Sequence, residues 1–200
     1  MNQAESVGVS TDTEQIILDL GCGAGVMVEP LVKLGRHHVI GVDFDHTVLS
    51  SASASGLQVV CADAFGLPLG DAEVRCVICT QFLNQLNAVQ RGLLLKEVSR
   101  VLIPGGVLLL TWRKDDALVH QLAQRVLGLT GSKFAQFPQF RHDWYELVAD
   151  CKRVGLNLLS GGVMSLIGRG ITDPRTGRIA GVSYGACLQR QKSVETSSLG

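Results

Sequence analysis

The 200-residue chain predicts an α/β fold: a doubly wound, mostly parallel, seven-stranded sheet with an antiparallel strand near the C-terminus. Three observations predict it. Apolar runs of strand length alternate with segments of helical spacing, the pattern of a parallel sheet covered on both faces. The first run, Ile17-Leu18-Asp19-Leu20, passes directly into Gly21-Cys22-Gly23-Ala24-Gly25, with three glycines on alternate positions. The last two runs are joined by the turn chemistry of Asp173-Pro174-Arg175-Thr176-Gly177 instead of a helix, which implies an antiparallel pair.

The elements follow in order. Ile16–Leu20 reads as the first strand. Residues 24–34 read as a helix ending at Gly35, with Pro30 either kinking it or lying in an irregular first turn. Residues 39–43 form the second strand, and a Ser/Ala-rich helix follows over 45–55, with Asp45 as N-cap and Gly56 as stop. Residues 57–61 and Val74–Thr80 are the third and fourth strands. Asn87 and Gln90 form a capping box, after which Leu94, Val98, Val101 and Leu102 keep helical spacing down one face. Pro104-Gly105-Gly106 ends that helix and leads into a fifth strand over 107–112. A second box, Asp143 with Glu146, opens a helix to Val154, closed by Gly155. Leu156–Ser165 and about 179–190 complete the sheet, with a protruding hairpin between them.

Composition bounds the rest. At 46% hydrophobic and 18% charged, the chain suits one well-buried domain over residues 15–190, with flexible tails at 1–14 and 191–200. No apolar run approaches the roughly 20 residues of a membrane helix, and the polar N-terminus lacks a signal core, so a cytoplasmic protein is expected. The net charge is zero, but residues 1–100 carry 6 Lys/Arg against 11 Asp/Glu and residues 101–200 carry 12 against 7. The basic residues are scattered, which reads as solvated surface more than as a nucleic-acid face. Four of the six cysteines sit in strand-like runs, where they act as small hydrophobes. Cys76 and Cys79 have CxxC spacing, but on one strand they face opposite ways, so no metal site is expected.

In an open parallel sheet, ligands bind beyond the carboxyl ends of the strands. Asp19, Asp43 and Asp63 lie at three such ends, and Asp43 is placed to accept from ribose hydroxyls. A dinucleotide enzyme would share these features, but its GxGxxG pattern needs a small residue at position 26, where this chain has Val26. The segments ILDLGCGAG, VIGVDFD, CADAFGLPLGDAEV and LLKEVSRVLIPGGVLLLTW, in this order and spacing, resemble the class I S-adenosylmethionine-dependent methyltransferases, a Rossmann-like family. The similarity is greatest to the branch that includes ubiquinone/menaquinone-biosynthesis-like enzymes. It covers about residues 15–112 in detail and 143–190 in architecture. The family often has Phe-Asp where this chain has Val74-Arg75, a departure confined to the start of a strand.

The resemblance implies S-adenosyl-L-methionine as cofactor and assigns roles. Gly21, Cys22, Gly23 and Gly25 would bring backbone against its methionine part, and Asp19 would accept from the amino group, directly or through water. Asp43 would hold the ribose hydroxyls and Phe44 would lie beside the adenine. Asp63 would accept from the adenine amino group, with the Ala64 backbone at the ring edge. Thr80 and Gln81 would stand near the sulfonium. On the substrate side the candidates are Gln81, Asn84, Trp112 and Arg113, with Gln85 beside them.

The cofactor carries an activated methyl, so alignment can suffice and no catalytic residue is singled out. His142 is placed as a helix-flanking residue more than as a general base; His120 falls inside a helix, and His37 and His38 on the wrong side of the sheet. A lid-like insertion is expected at about 113–142, with Phe134, Phe137 and Phe140 around Pro138 after an amphipathic stretch over 118–129. Those rings suit a flat or apolar acceptor, and equally an anchor onto the sheet. The expected activity is in-line methyl transfer to a small-molecule acceptor by a monomer or homodimer. RNA or protein is the second acceptor class, since Thr111-Trp112-Arg113 is reminiscent of tRNA wobble-uridine methyltransferases, and a non-catalytic binding subunit is the third reading.

Overall fold

The computed structural model describes residues 16–34, 38–113, 140–165, 171–172 and 181–192. Residues 1–15 and 193–200, most of the expected lid with its Phe134 and Phe137, His37, His120 and the 173–177 turn lie outside the described residues, while Gln191, placed in the expected tail, donates from its N–H to the Gly155 carbonyl at 2.8 Å. The elements are β1 (Ile16–Leu20), α1 (Glu29–Leu34), β2 (His38–Asp43), α2 (His46–Ala54), β3 (Gln58–Cys61), β4 (Val74–Thr80), a 3₁₀ turn (Phe82–Gln85), α3 (Ala88–Val101), β5 (Leu102–Arg113), α4 (Trp144–Arg153), β6 (Leu156–Ser165), β7 (Ile171–Thr172) and β8 (Gly181–Arg190).

They form one sheet in the order β3-β2-β1-β4-β5-β8-β6-β7. β1 pairs in parallel with β2 and β4, β2 with β3, and β4 with β5. β8 runs antiparallel between β5 and β6. The seven predicted strands are all present, and a two-residue strand, β7, adds an antiparallel partner on β6. The chain winds outward through β2 and β3 and returns to β4, so the topological switch lies between β1 and β4.

Two apolar clusters flank the sheet. Leu94, Leu95, Val98 and Val101 of α3 and Leu147 and Cys151 of α4 pack on Leu18, Val77, Leu108 and Leu110. Each such buried aliphatic side chain contributes about 1.5–3 kcal/mol. The second cluster joins Val28, Val39, Ala52 and Leu57 on the α1–α2 side.

The caps follow the sequence closely. Asp45 accepts from Thr47 N–H at 2.8 Å, and Asn87 and Gln90 form a complete capping box. Asp143 accepts from the amides of Tyr145 and Glu146, but the Glu146 carboxylate leans to 3.9 Å from Arg91.

Two element boundaries differ from expectation. The helix predicted over 24–34 is only Glu29–Leu34, because Gly21, Gly23 and Gly25 all have positive φ and coil the chain before it can start. Pro30 then sits in the first turn of α1, where its missing N–H costs nothing. β5 begins at Leu102, not 107: Leu102 pairs with Val74, residues 103–106 bulge out, and Val107 resumes opposite Cys76. The bulge is tight enough that a Cβ on Gly106 would fall 2.9 Å from the Ile103 carbonyl oxygen.

Candidate active site

A cleft of about 370 Å³ opens at the carboxyl ends of β1 to β4. Its floor is Gly21 and Val42. One wall carries Asp43, the last residue of β2, and Phe44, with residues 62–65, after β3; the other carries Phe82, Gln85, Leu86 and Gln90. Phe44 stands at the rim, 67% exposed, with its ring free to lie against a flat partner.

The three glycines of the first turn serve three different purposes. The turn is tied to β2 by Gly21 N–H and Cys22 N–H, which both donate to the Val42 carbonyl at 2.8 and 3.1 Å. A Cβ at Gly21 would meet the Phe82 ring at 2.7 Å, and one at Gly25 would meet Leu57 at 2.9 Å, so these two make room for protein. Gly23, at φ +52°, has open space where its Cβ would be, and its N–H donates to Asp43 Oδ2 at 2.9 Å. Gly23 is the position at which a ligand can approach the backbone. The Cys22 thiol turns toward Gly41, where any Cβ would fall 2.8 Å from Sγ, and burial pushes that thiol up to about 12. The sulfur is inert packing.

Asp43 uses each carboxylate oxygen once, accepting from Gly23 N–H and from Asp45 N–H at 3.0 Å. A further lone pair remains on each oxygen for paired hydroxyl donors. Asp63 accepts from Phe65 N–H at 2.9 Å, shaping the loop after β3, and Ala64 lines the cleft beside it. Asp19 is the unusual member. It is 1% exposed, its Oδ2 has no partner, and burial, reinforced by the Asp43 charge, raises its carboxyl to about 6. An unpaired buried carboxylate beside a second one calls for a cationic or hydrogen-donating ligand. It also opposes a pyrophosphate, whose charge would add to that of the neighbouring carboxylates.

Beyond the cleft, the ends of β4 and β5 and the start of β8 meet in a polar edge next to Thr80. Gln81 adopts a left-handed conformation (φ +59°), which costs roughly 1–2 kcal/mol for a residue with a Cβ. Its N–H donates to the Thr111 carbonyl at 2.9 Å, and its Nε2 to Ser183 Oγ at 3.3 Å. Asn84, buried, donates to Gln81 Oε1 at 2.9 Å and accepts from Arg113 N–H at 2.9 Å.

Trp112, expected on the substrate side, does not reach this edge. It shares the strand face of Leu108 and Leu110, is fully buried, and stacks on Trp144 at 5.4 Å and against Tyr184 at 5.2 Å. Its indole N–H donates to the His142 carbonyl at 3.1 Å. His142 itself is buried, with both ring nitrogens engaged.

Sequence reasoning missed Phe82, Phe65 and Leu86 as cleft walls, because apolar loop residues carry no signature. Gly41 had a readable one: a glycine inside a β-branched strand marks close approach, here by Cys22 and Leu57. Among the described residues, no group of three or more His, Cys, Asp or Glu side chains could hold a metal ion, and no helix is long and apolar enough to cross a membrane.

Comparison with known proteins accords with this geometry. Residues 18–110 match a family model described as a methyltransferase domain. The chain is 29% identical over 114 residues to a probable tRNA methyltransferase 9B of Bos taurus, covering 56% of this chain and 24% of that protein. It is 30% identical over 139 residues to an uncharacterized methyltransferase-like protein of Schizosaccharomyces pombe, covering 68% and 53%. The chain thus spans about a quarter to a half of the length of these relatives. A SAM-dependent methyltransferase structure from Methanosarcina mazei superposes with a TM-score of 0.71 at 19% identity, covering 90% of this chain and 94% of that one. Glycine turn, acidic strand ends and sheet order thus accord with the methyltransferase-domain match over residues 18–110 and with the fold of the S-adenosylmethionine-dependent methyltransferase structure.

Proposed function

We propose that the chain transfers a methyl group from S-adenosylmethionine to a small, neutral, hydrogen-bonding acceptor, in keeping with its resemblance to the ubiquinone/menaquinone-like branch. The observation that carries this reading is the buried, unpartnered Asp19 carboxyl behind a glycine turn that opens at Gly23 and is flanked by Asp43. The bound donor supplies a sulfonium-activated methyl group. Asp19 would accept from its amino group, and Asp43 would hold the ribose hydroxyls on its remaining lone pairs. Phe44 and Phe65 would lie against the adenine, and Asp63 and Ala64 would meet its edge. The edge formed by Thr80, Gln81, Asn84 and Ser183 orients the acceptor, with Arg113 beside it. The amide and hydroxyl groups of this edge suit an acceptor held in alignment by hydrogen bonds.

Calorimetry tests the shared premise. S-adenosylmethionine binds the wild type, and Asp43→Ala weakens that binding by about tenfold or more, the worth of hydrogen bonds to a charged group. Unchanged affinity in that variant refutes the assigned pocket.

A second reading, methylation of RNA, is favoured by the tRNA methyltransferases among the relatives. It requires salt-dependent retention on RNA, with the slope that phosphate contacts impose. Retention that does not vary with salt leaves the small-molecule acceptor.

A further inference from the structure

The side chains at the polar edge beside Thr80 form a chain of hydrogen bonds whose direction is set by the main chain. An amide oxygen and an amide nitrogen have the same shape, so the partners decide which way the group points. At Asn84 one partner is the Arg113 backbone N–H, which can only donate; Oδ1 accepts from it at 2.9 Å. Nδ2 is thereby turned to Gln81, whose Oε1 accepts from it at 2.9 Å. Gln81 Nε2 is left facing Ser183 Oγ at 3.3 Å and Thr111 Oγ1 at 3.4 Å. Asn84 and Ser183 are buried, whereas Gln81 is exposed. The Gln81 amide is thus held firmly at its oxygen and loosely at its two protons, since both of those bonds exceed the usual length of about 3 Å. The two hydroxyls accept from Gln81, so each has its own proton to turn elsewhere. Gln81 also holds a positive φ of 59°, shared among the described non-glycine residues only by Ala72. Backbone strain of this kind persists where the surroundings over-determine it, and such sites are often functional.

We propose that Asn84 is a positioning residue that fixes the polarity of the Gln81 amide, so that this edge selects a methyl acceptor carrying a carbonyl oxygen near the atom that is methylated. The inference rests on the donor and acceptor sides proposed above. A carbonyl oxygen has two lone pairs and no proton, so it can take one proton from Gln81 Nε2 and one from a hydroxyl of Thr111 or Ser183. An amine in the same place would set proton against proton. Reversing the Gln81 amide would reverse that choice, and Asn84 is what prevents the reversal.

The test is an NMR titration of the complex with S-adenosylhomocysteine, using two phenols that differ in one group, 3-acetylphenol and 3-ethylphenol. Before either is added, the Gln81 side-chain amide protons should show Overhauser contacts to Thr111 and Ser183. The wild type should bind 3-acetylphenol about three- to tenfold more tightly than 3-ethylphenol, the worth of one neutral hydrogen bond, with a shift of the Gln81 Nε2 resonance. In Asn84→Asp the carboxylate offers only lone pairs at about pH 8, so the Gln81 amide should turn over and move its proton contacts to residue 84. The preference should then fall to within about twofold of parity. Gln81→Met, which keeps the side-chain length without the amide, should lose the preference as well. A purely structural Asn84 would lower the melting temperature and weaken both phenols alike, leaving their ratio unchanged. Equal binding of the two phenols by the wild type, or the wild-type ratio kept in either variant, overturns this inference and leaves the cofactor reading standing. So does failure of both phenols to bind the complex. Failure of S-adenosylhomocysteine to bind overturns the cofactor reading and this inference with it.

Discussion

Lowering the pH from about 7.5 to 5 should stabilise the ligand-free protein through Asp19, opposite to the trend that ion-paired carboxylates impose. Its carboxyl rises from 3.8 to about 6, first because it is buried and then because Asp43 lies nearby. The sign follows from proton binding. Between those two values the folded state holds more protons than the unfolded chain, so stability falls as pH rises through the window and has fallen fully above about 6. The whole shift corresponds to about 3 kcal/mol, of which about 1.4 kcal/mol is lost between pH 5 and pH 7.5.

A ligand that brings positive charge to Asp19 should remove that cost, so its affinity should rise with pH through about 6 and its binding should release a proton there. Calorimetry with S-adenosylmethionine in two buffers of different ionisation enthalpy measures that proton. Urea denaturation at three pH values measures the stability term. Asp19→Asn, nearly isosteric and neutral, should be more stable than the wild type near pH 7.5 and should abolish both effects. A wild-type slope retained in the variant, or no proton released by the wild type near pH 6, refutes the reasoning.

Gly21→Ala sets a Cβ 2.7 Å from the Phe82 ring at a positive φ, so it should cost about 1–2 kcal/mol in thermal denaturation and weaken the cofactor; adding Phe82→Ala should recover part of the stability. Gly23→Ala, which meets open space, should bear only the backbone strain yet still lose cofactor affinity by calorimetry. Trp112→Ala should lower stability by about 3–5 kcal/mol in urea, and Trp112→Phe by less; a loss of activity at full stability would return Trp112 to the substrate edge. The Cys22 thiol, pushed up to about 12, should resist iodoacetamide at about pH 8 in the native protein, and Cys22→Ala should keep its cofactor affinity. Peptide mapping by mass spectrometry checks the first of these and calorimetry the second.

What the sequence made legible was local. Asp45, Asn87 and Asp143 announce helix starts because each satisfies amides within three residues of itself. The acidic strand ends are equally local, each being the next polar residue after an apolar run. The helix predicted over 24–34 is shorter because the positive φ of Gly25 delays its start. Val28 alone of Val26, Met27 and Val28 is buried, while Val26 and Met27 are 69% and 62% exposed. Trp112 differs for another reason. It stands at a strand end, but its parity with Leu108 and Leu110, visible in the sequence, turns it to the core.

The deeper division lies between residues whose partners are near in sequence and those whose partners are not. The glycine turn looks like one device in the sequence because its three glycines are spaced alike. Folding separates them, since Phe82 and Leu57 arrive from chain positions that the motif does not mention. His142 shows the same division. Its place before a capping Asp gives it no evident task, and its ring is held by Arg91, 51 residues away, and Leu83, 59 away. The proposed donor side has a signature in the sequence because the fold repeats one arrangement, an acid at the end of a strand, along neighbouring strands. The proposed acceptor side is assembled once, from β4, β5 and β8, by side chains that meet only through the antiparallel return of the chain. No periodicity records such a meeting, so the links through His142 and the edge held by Gln81 emerge only from the folded molecule.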